Sequence, residues 1–156
     1  RVLQQLLSER ISIRDLPTIL EGIGEAVGYS QNVMTITEHV RSRLARQISF
    51  ANTGPAGYIP LLPLSADWEQ AFAEALVGPG EEKQLTLAPS RLQQFIQSVK
   101  SSLDRLGADG ELPVLLTSPG IRPYVRSIVE RFRPQTVVMS QNEIHPRARV
   151  RTLGQI

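Results

Sequence analysis

The chain has no cysteine, few aromatic residues and no long apolar run, and each of these absences excludes a class of protein. Without cysteine there are no disulfides, thiolate metal sites or cysteine nucleophiles, which suits a reducing cytosol. No stretch approaches the roughly 18 consecutive apolar residues that a membrane-spanning helix requires. Aromatic residues make up 5% of the chain and do not interleave with its arginines, so the stacking platform of a single-strand nucleic-acid binder is not expected.

What is present is an ordinary core-forming composition with segregated charge. The hydrophobic fraction of 41% over 156 residues suits one medium domain, or a small subdomain joined to a larger one. The net charge of +2 conceals an acidic stretch from Asp67 to Glu82 and an arginine-rich stretch from Arg122 onward. Such a chain can associate with copies of itself or recruit charged partners. The alternative is that both stretches are solvated faces that keep the protein soluble.

The first third of the chain predicts a small helical subdomain. Asp15 can cap a helix that has Pro17 in its first turn and ends at Gly28. Its apolar stripe would comprise Leu16, Ile19, Leu20, Ile23 and Val27. A second amphipathic helix would bury Ile36, Val40, Leu44 and Ile48, and leave Glu38, Arg41 and Arg46 facing outward.

After the loop at residues 52–57, helices alternate with short apolar runs. Helices are expected at 65–77, 90–106 and 119–131, and strands at 58–64, 84–87, 113–117, 136–140 and 147–156. Pro60 and Pro63 predict that the first of these strands is irregular or lies at a sheet edge. Alternation of this kind favours a partly parallel sheet. We therefore predict an α+β protein, with an all-α subdomain at 1–50 followed by an α/β subdomain at 51–156 that contains a mixed, partly parallel sheet.

No residue pattern in the sequence predicts catalysis, a metal site or a cofactor. The glycines at positions 22, 24 and 28 fall late in a helix, whereas a dinucleotide loop needs them between a strand and a helix. His39 and His145 lack a nucleophile or carboxylate at a recognisable spacing. The turn at 117–120, followed by Arg122, could bind a carboxylate at a helix start, although a simple cap at Ser118 is the commoner explanation. We expect a protein that is not an enzyme.

A nucleic-acid-binding module is the alternative function. Arg41, Arg43 and Arg46 fall on one predicted helix, and Arg147, Arg149 and Arg151 on one face of the last predicted strand. The strand arginines would also protect a sheet edge from aggregation.

Three stretches, found in one order along the chain, identify a family. They are RISIRDLPTILEGI (10–23), TEHVRSRLARQI (37–48) and GIRPYVRSIVERFRPQTVVMSQNEI (120–144). Together they resemble the major export-gate protein of bacterial type III secretion, in its flagellar and injectisome branches, and the injectisome branch is favoured. The resemblance implies the third cytosolic subdomain, incomplete at its start, and the fourth. It also implies a longer inner-membrane protein whose membrane anchor lies upstream, with this part on the cytoplasmic face.

In that family the cytosolic portions form a nonameric ring, with much of the ring contact in the helical subdomain. The ring receives chaperone–substrate complexes, gatekeeper proteins and components of the ATPase complex. From charge and helical facing within the matching stretches, we expect ring contacts at Arg14, Glu38, Arg41 and Arg46. A partner or neighbouring subunit is expected to bind at Arg122 and Arg126. Nucleic acid is not expected as a partner.

Overall fold

The computed structural model describes residues 1–156 and divides into two compact units. The first comprises Arg1–Asn52 and Asn142–Ala148, and the second comprises Thr53–Gln141 and Arg149–Ile156. The sequence boundary at residue 50 assigned everything beyond it to the second unit. The structure instead groups Asn142–Ala148 with the first unit, so the chain leaves the second unit after one strand and rejoins it before the next.

The first unit is built from helices. They are α1 (Val2–Ser8), α2 (Leu16–Val27), α3 (Val33–Arg43) and α4 (Ala45–Ala51). The Asp15 carboxylate accepts a hydrogen bond from the Thr18 amide at 3.2 Å, which confirms the predicted cap of α2. Asn32 caps α3 in the same way, through the Thr35 amide at 3.0 Å.

The apolar residues of α3 and α4 are buried as predicted, whereas of the predicted α2 stripe only Ile19 is fully buried. Leu44 lies at the junction between α3 and α4, which divide the single helix expected there. On α2 the buried residues are Ile19, Gly22 and Ala26, whereas Leu16, Leu20 and Val27 are exposed.

The reason for this different buried face of α2 is a close helix contact. A Cβ added to Gly22 would lie 3.2 Å from Val40 Cγ2 and 3.4 Å from Val40 Cα. The small residues of α2 therefore face α3, because only they allow the two backbones to approach so closely.

The second unit contains a parallel sheet with helices. The strands are β1 (Ile59–Pro63), β2 (Leu76–Val77), β3 (Gln84–Leu85), β4 (Val114–Thr117), β5 (Val138–Ser140) and β6 (Val150–Thr152), and the helices are α5 (Ala66–Ala75), α6 (Pro89–Ala108) and α7 (Arg122–Val129). Four strands pair in parallel in the order β5-β4-β1-β6, and β2 pairs antiparallel with β3. The predicted α+β class with partly parallel strands is confirmed.

Strand β1 lies inside the sheet, so of the two predicted alternatives, an irregular strand or an edge strand, the edge position is wrong. The Ile59 amide bonds Arg149 O on the β6 side, whereas the Leu64 amide bonds Leu116 O on the β4 side. Because successive residues face opposite neighbours, Pro60 lacks its amide on the β4 side, where pairing begins only at Leu61. Pro63 lacks its amide on the β6 side, beyond the last ladder pair of Leu61 with Thr152, and its carbonyl there accepts from the Ile156 amide at 3.0 Å. Neither proline removes a ladder hydrogen bond.

The core of the second unit lies between the parallel sheet and its helices. The Phe95 ring packs edge-on against Trp68 at 5.2 Å and against Phe72 at 4.9 Å between ring centroids. Buried aliphatic side chains from β1, β4 and α7 complete it: Leu62, Leu115, Val125 and Val129. Among the helices of both units, none combines the length and the apolar character that a bilayer span needs.

Candidate interaction surfaces

Arg41 is part of a buried ion pair and not of an exposed surface. Its side chain is 1% exposed, Nε donates to Glu143 Oε2 at 2.7 Å, and Nη2 donates to Glu143 Oε1 at 2.8 Å. Nη1 also lies 3.4 Å from Glu9 Oε1. The burial of Arg41 does not support the predicted ring contact, because the guanidinium is used inside the first unit.

Ser49 reinforces the position of Glu143. Its hydroxyl donates to the Glu143 carbonyl at 2.8 Å and accepts a hydrogen bond from the His145 amide at 2.9 Å. Side chains of α3 and α4 thus hold the segment Asn142–Ala148 to the helical unit. No sequence pattern indicated this contact, since Arg41 and Glu143 lie 102 residues apart.

A charged cluster on α2 and α3 occupies the surface where a basic patch was expected. Glu25 accepts hydrogen bonds from His39 Nε2 at 2.8 Å and from Arg43 Nη1, and Arg43 Nη2 lies 3.1 Å from Glu21 Oε2. The hydrogen bond from His39, then that from Arg43, holds the pKa of Glu25 below its ordinary value. Arg43 is therefore neutralised locally by two carboxylates.

Two of the other three ring candidates are exposed. Arg14 and Arg46 are solvent-accessible, and Glu38 is partly buried. The same unit exposes an apolar surface that the sequence assigned to the core, namely Leu16, Leu20 and Val27, which we call the α2 stripe. Leu20 is 64% exposed. The spacing of these three residues is helical, so periodicity alone did not distinguish this face from the buried one.

Arg122 and Arg126 are structural residues. Arg122 is 1% exposed and donates from Nη1 to Val138 O at 2.9 Å. Arg126 is also buried and donates to Thr136 O at 2.9 Å. Both arginines bind α7 to backbone carbonyls at or just before β5, and this burial does not support the predicted contact with a partner.

The expected anion site at residues 117–120 is filled from within the unit. The Ser118 amide donates to Glu69 Oε2 at 3.0 Å, so a carboxylate of α5 occupies the position where a ligand was considered. Ser118 does not cap α7, which begins at Arg122 after Ile121 and has no side-chain cap. The helix starts later than predicted because a turn at 118–121 precedes it, closed by the Ile121 amide on Ser118 O at 3.4 Å.

The titratable side chains do not converge on a catalytic arrangement. His39 contacts Glu25, and the His145 ring accepts from the Arg147 amide at 3.2 Å. No three histidine, aspartate or glutamate residues gather as metal ligands would. The geometry offers charged and apolar surfaces for binding.

A family model described as the FHIPEP family matches residues 1–149. The flagellar biosynthesis protein FlhA of Caulobacter vibrioides is 66% identical over the whole of this chain, which covers 22% of that protein. FlhA of Bacillus subtilis is 30% identical over 99% of this chain, which covers 23% of it. The chain thus spans less than a quarter of the length of these curated relatives.

Solved structures agree with this result. The Chlamydia pneumoniae CdsV protein superposes with a TM-score of 0.89 at 31% identity, covering 99% of this chain and 44% of that one. The cryo-EM structure of nonameric EPEC SctV-C superposes with a TM-score of 0.86 at 28% identity, covering 99% and 46%. A complex of CdsV with CdsO matches with a TM-score of 0.85 at 32% identity, covering 99% of this chain and 46% of that one. The resemblance to type III export-gate proteins is confirmed, and the chain belongs to the FHIPEP family.

Proposed function

We propose that this chain is the C-terminal part of the cytosolic ring of a type III export gate, and that it helps to dock proteins for export. The observation that carries the proposal is 66% identity with a flagellar FlhA, supported by the likeness to a nonameric relative. On this proposal the two units correspond to the third and fourth cytosolic subdomains, and a membrane anchor lies in a preceding part of the protein. The role is non-enzymatic.

The proposed branch is the flagellar one. Identity with the low calcium response locus protein D of Yersinia pestis is 28%, against 66% with the flagellar protein of Caulobacter vibrioides. This difference reverses the preference for the injectisome branch that the sequence motifs suggested. Proposed partners are copies of the same protein, chaperone–substrate complexes, a gatekeeper and ATPase-complex components, and a CdsO-like protein is supported by the CdsV complex.

We place the ring contact on the helical unit, at the α2 stripe. An exposed ion pair contributes only about 0–1 kcal/mol, so Arg14, Glu38 and Arg46 alone would make a weak contact. Exposed leucine and valine side chains add apolar area, whose removal from water contributes about 25 cal/mol per Å² before the free-energy cost of association is subtracted. Protein interfaces have apolar residues at their centre, and the α2 stripe supplies residues of this kind on the exposed surface of the unit.

The test is Leu20→Glu in the full-length protein. Because Leu20 is 64% exposed, the substitution should leave the melting temperature of the 156-residue chain nearly unchanged. It should prevent ring assembly and secretion, since each subunit in a closed ring would bury the new charge. Leu112→Glu is the matched control, because Leu112 is 86% exposed and lies in the other unit. Rings and secretion that survive Leu20→Glu would remove the α2 stripe from the interface.

A further inference from the structure

Strand β6 is an edge strand with unpaired backbone groups. Alternate residues of the β6 segment direct their backbone groups toward β1. The Ile59 amide bonds Arg149 O at 2.8 Å, and the Leu153 amide bonds Leu61 O at 2.9 Å. In a parallel ladder the intervening residues face the opposite way. The amides and carbonyls of Val150 and Thr152 therefore point away from β1, where the sheet order places no further strand.

The side chains of β6 are exposed and do not cover this edge. All three strand residues are exposed, and Val150 is 46% exposed. Val150 and Thr152 are β-branched, and such residues favour an extended backbone. The strand itself contains neither a proline nor a bulge, two of the devices by which proteins close a sheet edge. The edge is short, but its outward-facing amides and carbonyls can pair with another strand.

Unpaired positive charge surrounds the edge. Arg149 and Arg151 are exposed, and the Arg151 guanidinium lies 5.6 Å from the centroid of the Tyr58 ring. The Arg105 guanidinium lies close to Gly154, two residues after the end of β6. Its Nη2 is 3.9 Å from the position that a Cβ added to Gly154 would take. None of these three guanidinium groups forms an ion pair with a carboxylate of the chain. The nearby Glu111 accepts a hydrogen bond from the Tyr58 hydroxyl at 3.2 Å.

We propose that β6 is a docking strand for an extended acidic peptide segment of a partner protein, which adds to the sheet as a fifth strand. The peptide backbone would pair with Val150 and Thr152, and its carboxylates would lie beside Arg149 and Arg151. Strand addition of this kind takes affinity from main-chain hydrogen bonds and specificity from side chains.

Two other occupants fit the edge less well. A second copy of β6 would place like charges opposite one another, which destabilises a strand pair. The same arginines thus disfavour self-pairing and favour an acidic strand. Specific interfaces often combine repulsion of the wrong partner with attraction of the right one. A nucleic acid would satisfy the charges but carries no peptide groups to complete the ladder. The inference is independent of ring assembly, since it concerns the second unit alone.

The test uses the 156-residue chain and a fluorescent acidic peptide of alternating valine and glutamate, with fluorescence anisotropy as the readout. We expect saturable binding that is at least about tenfold weaker in Val150→Pro. Proline removes the outward amide of Val150 but no hydrogen bond to β1, so the sheet should be retained. Val150→Ala is the matched control, because it keeps the amide. Thr152→Pro repeats the test at the next outward amide if Val150→Pro fails to fold.

Charge and backbone contributions are separated by two further measurements. Arg149→Gln combined with Arg151→Gln should weaken peptide binding at least about tenfold, since charge-assisted contacts are lost. Hydrogen exchange at the Val150 and Thr152 amides should slow when the peptide binds. The proposal is overturned if the folded proline variants bind as tightly as the parent chain, or if no saturable binding occurs. It is also overturned if single-stranded DNA binds more tightly than the peptide, or if the chain self-associates through β6.

Discussion

Arg41 and Arg43 lie two residues apart on α3 and differ in what surrounds them. Arg41 is buried against Glu143 and Glu9, whereas Arg43 is an exposed residue that pairs with Glu21 and Glu25. Removing one partner of a buried pair leaves an uncompensated charge in the interior, which costs about 3–5 kcal/mol. Loss of an exposed pair costs about 0–1 kcal/mol.

The same substitution at both positions therefore makes a matched experiment. Arg41→Met should lower the free energy of unfolding by about 3–5 kcal/mol, measured by urea denaturation followed by circular dichroism. Arg43→Met should lower it by about 0–1 kcal/mol. Replacing both members of the bidentate pair, as Arg41→Met with Glu143→Leu, should restore much of the loss, because the buried Glu143 carboxylate is then no longer left without its partner. Equal effects of the two single substitutions would contradict the burial assigned to Arg41.

The hydrogen bonds to Glu25 predict that the stability of the fold decreases slightly at acidic pH. Its pKa in the folded chain lies below the ordinary value of 4.5, because His39 and Arg43 donate hydrogen bonds to the ionised carboxylate. A lowered pKa contributes stability above the unfolded-state value, and this contribution is lost as the pH falls through the folded-state value. The melting temperatures of the parent chain and of Glu25→Gln should therefore converge as the pH is lowered below 4.5.

An NMR titration of the Glu25 carboxyl measures this shift directly. In the parent chain the midpoint should lie below 4.5, and it should move upward when His39→Leu and Arg43→Met remove both donors. A midpoint at or above 4.5 in the parent chain would mean that the two hydrogen bonds do not persist in solution.

The packing of α2 on α3 depends on a glycine that faces the partner helix. Gly22 faces Val40 closely, whereas a Cβ at Gly24, on the exposed side of the same helix, would meet nothing within 4 Å. Gly22→Leu should lower the free energy of unfolding by about 1–3 kcal/mol, because the side chain would force the helices apart. Gly24→Leu should leave it unchanged or raise it by about 0.5–1 kcal/mol, since leucine favours the helix over glycine.

Urea denaturation of the two leucine variants tests this arrangement. If Gly22→Leu were as stable as Gly24→Leu, the helices would not approach each other through Gly22. The result also bears on the α2 stripe, since rotation of α2 to bury Leu20 would move Gly22 away from Val40.

The sequence predicted the elements that depend on local chemistry. The Asp15 cap, the apolar residues of α3 and α4, and the alternation of helices and strands in the second unit all follow from spacing and turn residues. The pairing of Arg41 with Glu143 could not be predicted, because charge at a sequence position does not reveal a partner that folding brings from a distance. The interior position of β1 depended on register, which placed each proline where no hydrogen bond was required. The identity came from the resemblance of three stretches and not from any active-site pattern.

The charge of the chain as a whole is less segregated in the fold than along the sequence. Arg122 and Arg126 of the basic stretch are buried on backbone carbonyls, and Glu69 of the acidic stretch is bound to the Ser118 amide. Arg41 and Arg43 are paired with carboxylates in the first unit. These arginines therefore do not contribute to the continuous basic surface that binding along a nucleic-acid backbone requires.

This charge distribution predicts that the chain does not bind nucleic acid appreciably near physiological salt. Non-specific DNA binders have dissociation constants of about 1–100 µM under such conditions. We expect this chain to bind more weakly than that, as measured by fluorescence anisotropy with single- and double-stranded probes of about 20 nucleotides. Alanine at Arg147, Arg149 and Arg151 together should leave that weak signal unchanged. Contacts to six or more phosphates would lower the affinity roughly a thousandfold or more over a fourfold rise in salt. Micromolar binding with that dependence, abolished by the triple alanine variant, would restore the nucleic-acid interpretation of the last strand.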